Sequence, residues 1–506
     1  MRALRHGNGG EGMQRHLAVD IGSESGRAFA GHIENGRLCA EEIHRFRTQF
    51  MQLGDRSIRN FYRYHEEILE ALRLYAVKYG PDLASVGVDA WGGDFVLLNR
   101  AGDVLRLPSS YRANALASDA AAVAEDKFGA WNIYRRNGNQ SMPTDTLHQL
   151  IRLRAANDPS LDDPRAILFV ADLFHYFLGA EPACEHSLAS YCRVYNAARD
   201  DWDEEILRAF GIPPAIRTKI VRAGDVIGRV NGKILRQAGL DEGVPIVTPC
   251  SHDTACAALA VPDEGDDWAF ISSGTWSLMG VETAAPVLGE LAFRSNFSNS
   301  TMPLMTNMFK KNITGTWIIQ QCAKAWARYG YDEIVSLAEA AADEDLFIDI
   351  DATDFYAPED MPAAVSAFVA RNFGRNVAPD DAGAIARIVF QSMALKYRYY
   401  LEKLLEASGR RISKIYILGG GSKNRLINRF TAAATGYSVF TGVYEASSTG
   451  NLLLQAYGCG ELKDKAQMRR VVKDSFPLNE FSPDGAAAWD RKYKAYLKHA
   501  AKRNEW

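Results

Sequence analysis

The sequence predicts an α/β fold laid down twice, as two domains. Three observations predict it. Strands and amphipathic helices alternate along most of the chain, the mark of layered α/β architecture. A β-meander whose first turn is rich in Gly and Ser opens the chain, and a second with the same order of strand, Gly/Ser turn and strand begins at Trp268. The length, 506 residues, exceeds what one hydrophobic core fills, so two domains of roughly 250 residues each are expected.

Residues 17–20 read as a short strand, 22–26 as a tight turn and 27–33 as a second strand. Asn35-Gly36 is a strong hairpin signal, because both residues tolerate positive φ, and 37–46 completes the meander. Over 61–79, Ile68, Leu69, Leu72, Tyr75 and Val77 form a broad apolar stripe that predicts a helix. A buried strand at 86–89 follows, then a hairpin of 95–98 with 104–105 about a turn at 101–103. Residues 114–240 read as mostly helical, broken at Pro143, Gly179 and 211–214. The turn-like 239–243 precedes a strand at 245–249, so the domain boundary is expected there: a disordered leader 1–15, an N-terminal domain 16–244 and a C-terminal domain 245–506. In the second domain the strands 268–271 and 276–281 flank the turn 272–275. Helices at 313–328 and 382–407, a strand at 414–418 and a helix at 425–435 follow.

Hydrophobic residues at 47% and charged residues at 24% are ordinary globular values. The formal net charge of −4, with no basic stripe, excludes a nucleic-acid partner. The one basic stretch, 491–503, alternates with Tyr493, Tyr496 and Leu497 and reads as the solvated face of a terminal helix. No apolar run approaches the ~18 residues of a membrane span, and the polar N-terminus lacks the core of a signal peptide. Met13 is a candidate start. The seven cysteines are odd in number, scattered and without a CxxC pair. They predict buried free thiols in a reducing, cytoplasmic setting rather than disulfides or structural zinc.

Four segments carry candidate chemistry. Asp20-Ile-Gly-Ser-Glu-Ser-Gly-Arg27 is a Gly/Ser turn between strands, whose N–H groups and hydroxyls suit phosphate oxygens, although an ordinary hairpin gives the same string. Asp20, at the strand end, suits Mg²⁺ held through water. Ser272-Ser-Gly-Thr275 repeats the pattern in the second half. A nucleoside triphosphate gripped between two such turns is the actin-like arrangement, and no P-loop run is present. Ser251-His-Asp-Thr254 opens a helix, so Asp253 is either a helix cap or a carboxylate aimed at a hydroxyl proton. Gly419-Gly-Gly421 after a strand lets backbone approach a flat ligand closely.

In this order, the segments resemble the FGGY carbohydrate kinases, and within them the rhamnulokinases. The likeness is carried by Val19-Asp-Ile-Gly22 with Ser25-Gly-Arg27, Val88-Asp-Ala-Trp-Gly92 with Asp94-Phe-Val-Leu-Leu98, Tyr111-Arg112 and His252-Asp-Thr254. It continues through Ser272-Ser-Gly-Thr-Trp-Ser-Leu-Met-Gly280, Gly419-Gly-Gly421 and Glu445-Ala-Ser447, and so spans nearly the whole chain after residue 15. The resemblance implies a duplicated actin-like (ribonuclease-H-like) fold with ATP in the cleft. It implies Asp253 as general base and Ser23, Glu24, Ser25, Gly26, Arg27, Thr275, Gln320 and Gly420 at ATP. It implies Gly92, His252, Asp253, Thr254 and Asn312 at the sugar, with Asp20 near Mg²⁺.

Two departures stand out. Rhamnulokinases resembling this chain tend to carry Ser or another small neutral residue where Glu24 stands. They also carry an Asn-Glu-Gly-Gly run where this chain reads Asn299-Ser-Thr-Met302. The implied reaction is phosphorylation of a ketose at its 1-hydroxyl, L-rhamnulose first. The alternatives are L-fuculose, a pentulose or a signalling furanone as substrate, a non-catalytic actin-like ATP-binding regulator, or a hydrolase using Asp253 and His252.

Overall fold

The structure is a computed structural model that describes residues 13–54, 56–108 and 119–499. The first half holds strands β1 (His16–Ile21), β2 (Ser25–Glu34), β3 (Arg37–Arg47), β4 (Ser85–Ala90), β5 (Val226–Arg229) and β6 (Pro245–Val247). Together they form a six-stranded sheet in the order β5-β6-β4-β1-β2-β3. The second half holds β7 (Trp268–Ser273), β8 (Trp276–Thr283), β9 (Ser298–Thr301), β10 (Asn307–Thr314), β11 (Lys414–Leu418), β12 (Ser438–Thr441) and β13 (Asn479–Phe481). These form a seven-stranded sheet in the order β9-β10-β8-β7-β11-β12-β13.

The two sheets share one plan. An antiparallel meander (β1-β2-β3; β7-β8-β10) continues through two parallel strands (β4, β6; β11, β12) to an antiparallel edge (β5; β13). The second half adds only β9. This is the duplication expected from the paired Gly/Ser turns.

Local sequence explains the elements. Asn35 (φ 50°) and Gly36 (φ 76°) both sit in the left-handed region, so the β2–β3 hairpin turns where the sequence signals it. Helix α1 (Phe61–Tyr79) starts where the Asn60 side chain accepts from the Arg63 N–H, and it buries Phe61, Tyr64, Ile68, Leu72 and Tyr75. β1 is buried at every position except Asp20, which opens toward the cleft, because both faces of the sheet are covered.

Each half has its own core, and a third core lies between them. That third core is built around α3 (Asp253–Leu259) and α5 (Ala446–Gly458), with α4 (Ala382–Ser408) backing the second sheet. α5 also reaches the first sheet: Gln455 Nε2 donates to Leu17 O at 3.1 Å, and Asn451 Nδ2 donates to Asp89 Oδ2 at 2.6 Å.

Several expectations are corrected. β6 pairs with β4 and β5, so the boundary expected at 244/245 cuts a strand away from its own sheet; the second sheet begins at Trp268. Phe95–Leu98 pairs antiparallel with Ala166–Phe169, a longer apolar partner than Val104, which makes a single bridge to Leu98. The region read as mostly helical therefore also contributes strands. The helix expected from 313 starts at Trp317, since β10 runs to Thr314. Gly315 follows, pressed so close that a Cβ there would lie 2.4 Å from Gly274 O. Cys39 is exposed rather than buried, and all seven cysteines are free.

The C-terminal helix, Ala486–His499, buries Trp489, Tyr493 and Tyr496. The rest of the basic stretch, the leader before Met13, and Tyr111-Arg112 lie outside the described residues. No helix among those residues is long and apolar enough to cross a membrane.

Candidate active site

A cleft of about 1470 Å³, counting the solvent it opens onto, lies between the two halves. The β1–β2 turn brings Asp20, Gly22, Ser23, Glu24, Ser25 and Arg27 to one side. The β7–β8 turn brings residues 272–276 to the other, joined by Gly419 and Gly420 after β11. The entry to α5 supplies Tyr444, Glu445 and Ser447. Toward one end lie Gly92, Tyr191 of helix α2 (His186–Tyr191), His252, Asp253, Thr254 and Asn312.

The β1–β2 turn is fixed from behind through its carbonyls. Thr48 Oγ1 donates to Gly22 O at 2.7 Å, Thr48 N to Glu24 O at 3.3 Å and Arg59 Nη1 to Ser23 O at 2.8 Å. Arg59 is 1% exposed and lies over the Trp91 ring, so a rigid cation anchors the turn. Arg27 Nη1 reaches Glu445 Oε2 at 2.6 Å and ties the turn to the head of α5 across the cleft. Glu24 is exposed, which keeps its charge in water.

Asp20 and Asp89 face each other in register on β1 and β4. Burial pushes the Asp20 carboxyl up to about 7; Arg27 pulls it down, while Asp253 and Glu445 push it further up. Asp89 is also raised, by burial and by Asp20, and its buried Oδ1 has no hydrogen-bond partner among the described residues. An excess of carboxylate with an unmatched oxygen fits a hard divalent cation, which Asp20 would hold through water.

Asp253 is the first residue of α3, but the N-cap is His252. The Asp253 carboxylate turns back onto Thr254, accepting from its N–H at 2.5 Å and its hydroxyl at 3.1 Å, and lines the cleft. Burial raises its pKa, opposed by the Thr254 hydrogen bonds and by Lys310. His252 is buried and held neutral, since burial lowers its pKa well below the usual value and Lys310 lowers it further. Its ring stacks on Tyr191 with centroids 5.0 Å apart, and Tyr191 Oη accepts from Asn312 Nδ2 at 3.1 Å.

Residues 16–260 match the N-terminal domain, and residues 269–459 the C-terminal domain, of the FGGY family of carbohydrate kinases. The chain belongs to the FGGY family. It is 36% identical over 480 residues to a rhamnulokinase of Bacteroides thetaiotaomicron, covering 95% of this chain and 98% of that one. It is 34% identical over 499 residues to a rhamnulokinase of Enterococcus faecalis, covering 96% and 98%. The gluconate kinase of Lactobacillus acidophilus superposes with a TM-score of 0.81 over 96% of this chain and 97% of that one, at 14% identity, which shows the shared two-domain fold. This FGGY protein is a carbohydrate kinase: its substrates are a sugar and ATP, used with a divalent metal.

In this FGGY kinase most of the expected site residues converge on the cleft, and two do not line it. Gly26 is buried under the Phe46 ring, where a Cβ would lie 2.1 Å from Cζ. Gln320 stands one layer behind Thr275, whose hydroxyl donates to Gln320 Oε1 at 3.4 Å. The divergent segment, 299–302, also stays out of the cleft. It docks β9 onto the first half: Asn299 Nδ2 donates to Gly138 O at 2.8 Å and Ser300 Oγ to Ser187 O at 2.8 Å.

Sequence reasoning missed Arg59, Asp89, Tyr191 and Lys310. For Lys310 a signal was present. Phe309-Lys-Lys311 places two lysines in succession within a strand, which sends one to each face of a covered sheet.

Gly92 gives a direct test of the sugar end. A Cβ there would lie 2.9 Å from Tyr191 Cδ1 and 3.3 Å from His252 Cδ2. Gly92→Ala should displace these rings and lower kcat/KM for the sugar by about 10- to 100-fold, with KM for ATP unchanged. Steady-state kinetics in each substrate checks it.

Proposed function

We propose that the protein transfers the γ-phosphoryl group of Mg·ATP to the 1-hydroxyl of L-rhamnulose, with Asp253 as general base. One observation carries the reading. Asp253 lines the cleft together with both Gly/Ser turns and with Gly92, His252 and Asn312, in a chain similar to rhamnulokinases along its length. L-Rhamnulose is a 6-deoxy ketose, so its C1 hydroxyl is its one primary alcohol. Asp253 accepts the proton of that hydroxyl as the oxygen attacks the γ-phosphorus. The bond from phosphorus to the β,γ-bridging oxygen breaks, and its electrons leave with ADP.

Ser23, Ser25 and Arg27 from one half, and Thr275 and Gly420 from the other, hold the nucleotide. Gly26 and Gln320 support them from behind. When bound, Mg²⁺ at Asp20 neutralises the phosphate oxygens. His252, Thr254 and Asn312 orient the sugar, and the Arg27–Glu445 pair ties the walls together. ATP dependence and the free thiols suit a cytoplasmic enzyme.

The base works only as a carboxylate. Because burial raises its pKa, activity should fall with decreasing pH at a higher pH than an ordinary carboxylate would give, and should be full above that limb. A pH profile of kcat/KM measures it.

The substrate test is ADP release with Mg·ATP against L-rhamnulose, L-fuculose, L-ribulose, D-xylulose and glycerol. Strong stimulation by L-rhamnulose is expected. Preference for another member would overturn the choice of sugar while keeping the base and the nucleotide site.

A further inference from the structure

Lys310 lies in the middle of β10 and is 0% exposed. Its ammonium has no hydrogen-bond partner among the described residues. It sits 4.1 Å from the centre of the Tyr191 ring, on which the His252 imidazole also stacks. Gly280 on β8 and Ser298 on β9 are its cross-strand neighbours, and neither carries a charge. A buried cation without a direct partner is costly to keep, so its persistence calls for an electrostatic task.

The charged surroundings are limited. Asp253 is acted on by Lys310 from β10 and lies near Tyr191 of the helix His186–Tyr191. It in turn acts on Asp20 of β1 and Asp89 of β4, while Arg27 and Glu445 act on Asp20. His252 faces Lys310 and Tyr191, with its Nε2 3.9 Å from Asp253 Oδ1. Lys310 is thus the cation acting on both residues.

We propose that Lys310 is a positioning residue for the phosphoryl transfer: from beneath Tyr191 it holds Asp253 as a carboxylate and His252 as a neutral imidazole, and so sets the acid limit of activity. The inference rests on the kinase reading for its activity assay. Burial lowers the Lys310 pKa to about 7, against the pull of Asp253. Its charge is therefore present below about 7, the range in which a buried carboxylate needs a counter-charge to stay ionised. Placing one cation near both groups favours the anion of the first and disfavours the cation of the second.

The same burial has a stability consequence. The folded pKa lies below the unfolded value, so between about 7 and 10.5 the unfolded chain binds more protons and stability rises with pH. The penalty is fully present below that window.

Lys310→Met, which fills the space without charge, tests the proposal. The acid limb of kcat/KM, read with whichever sugar of the panel is phosphorylated, should move up by about one pH unit, with activity at high pH retained. Lys310→Arg should keep the limb in place. Lys310→Met should also raise Tm at pH 6, with the gain shrinking by pH 9. Imidazole NMR of His252, assigned with His252→Gln, should show its titration moved to higher pH, and this readout needs no sugar. An unmoved limb with an unmoved His252 titration would overturn the proposal. So would a uniform loss of activity with a lowered Tm at every pH, the mark of a packing role. If no sugar were phosphorylated, the functional reading would fail while the NMR still judged Lys310.

Discussion

Asp253→Asn is expected to lower turnover by about 10²–10⁴-fold, the usual contribution of a general base, with ATP affinity kept. The amide fills the same space and can still accept from the Thr254 N–H, which donates to Oδ1 at 2.5 Å, but it cannot take up the sugar's proton. Stability should hold or rise, because burial already penalises the charged carboxylate. Asp253→Ala separates this role from a helix cap, since truncating a mere cap would cost about 1 kcal/mol of stability and leave activity intact. Since the N-cap is His252, the cap outcome is not expected. Single-turnover kinetics, nucleotide titration and thermal unfolding on one preparation separate the two.

Gly450→Ala should produce the largest loss of stability. Gly450 lies in α5, where that helix crosses α3, and a Cβ there would lie 2.0 Å from Cys256 O and 2.6 Å from Cys256 C. Both are backbone atoms, so no rotamer change relieves the clash. The helices must separate, opening the core that joins the two halves. Overpacking costs roughly 1–3 kcal/mol, and a clash with backbone atoms belongs at the top of that range. Activity should fall with it, because Asp253 sits at the N-terminus of α3. A Tm equal to wild type would show that the two helices do not depend on this contact.

The fold was legible wherever periodicity and turn chemistry agreed. The Asn35-Gly36 hairpin, the helix from Phe61 and the meander at Trp268 all follow from local signals. What failed had non-local causes. β6 reads as the start of a new domain because a glycine-rich turn precedes it, yet its partner β4 lies far back in the sequence. Phe95–Leu98 carries no mark that tells Ala166–Phe169 from the nearer Val104.

The site was legible as motifs and illegible as support. Gly/Ser turns and a helix-opening His-Asp pair announce themselves. Arg59, which anchors the phosphate-side turn, and Tyr191, which carries His252, are ordinary residues until folding places them. The departure at 299–302 lies close in sequence to Asn312, which lines the cleft. The folded chain instead uses it to dock β9 on the first half, one layer away from the cleft.

The most direct test of the central claim is the identity of the product formed from L-rhamnulose and Mg·ATP, read by proton-coupled phosphorus NMR. A phosphate on C1 couples to the two protons of that methylene, so the account predicts a sugar phosphate triplet in wild-type reactions that is nearly absent with Asp253→Asn. A doublet, the sign of a phosphate on a secondary carbon, or ADP formed without any sugar phosphate, would contradict it.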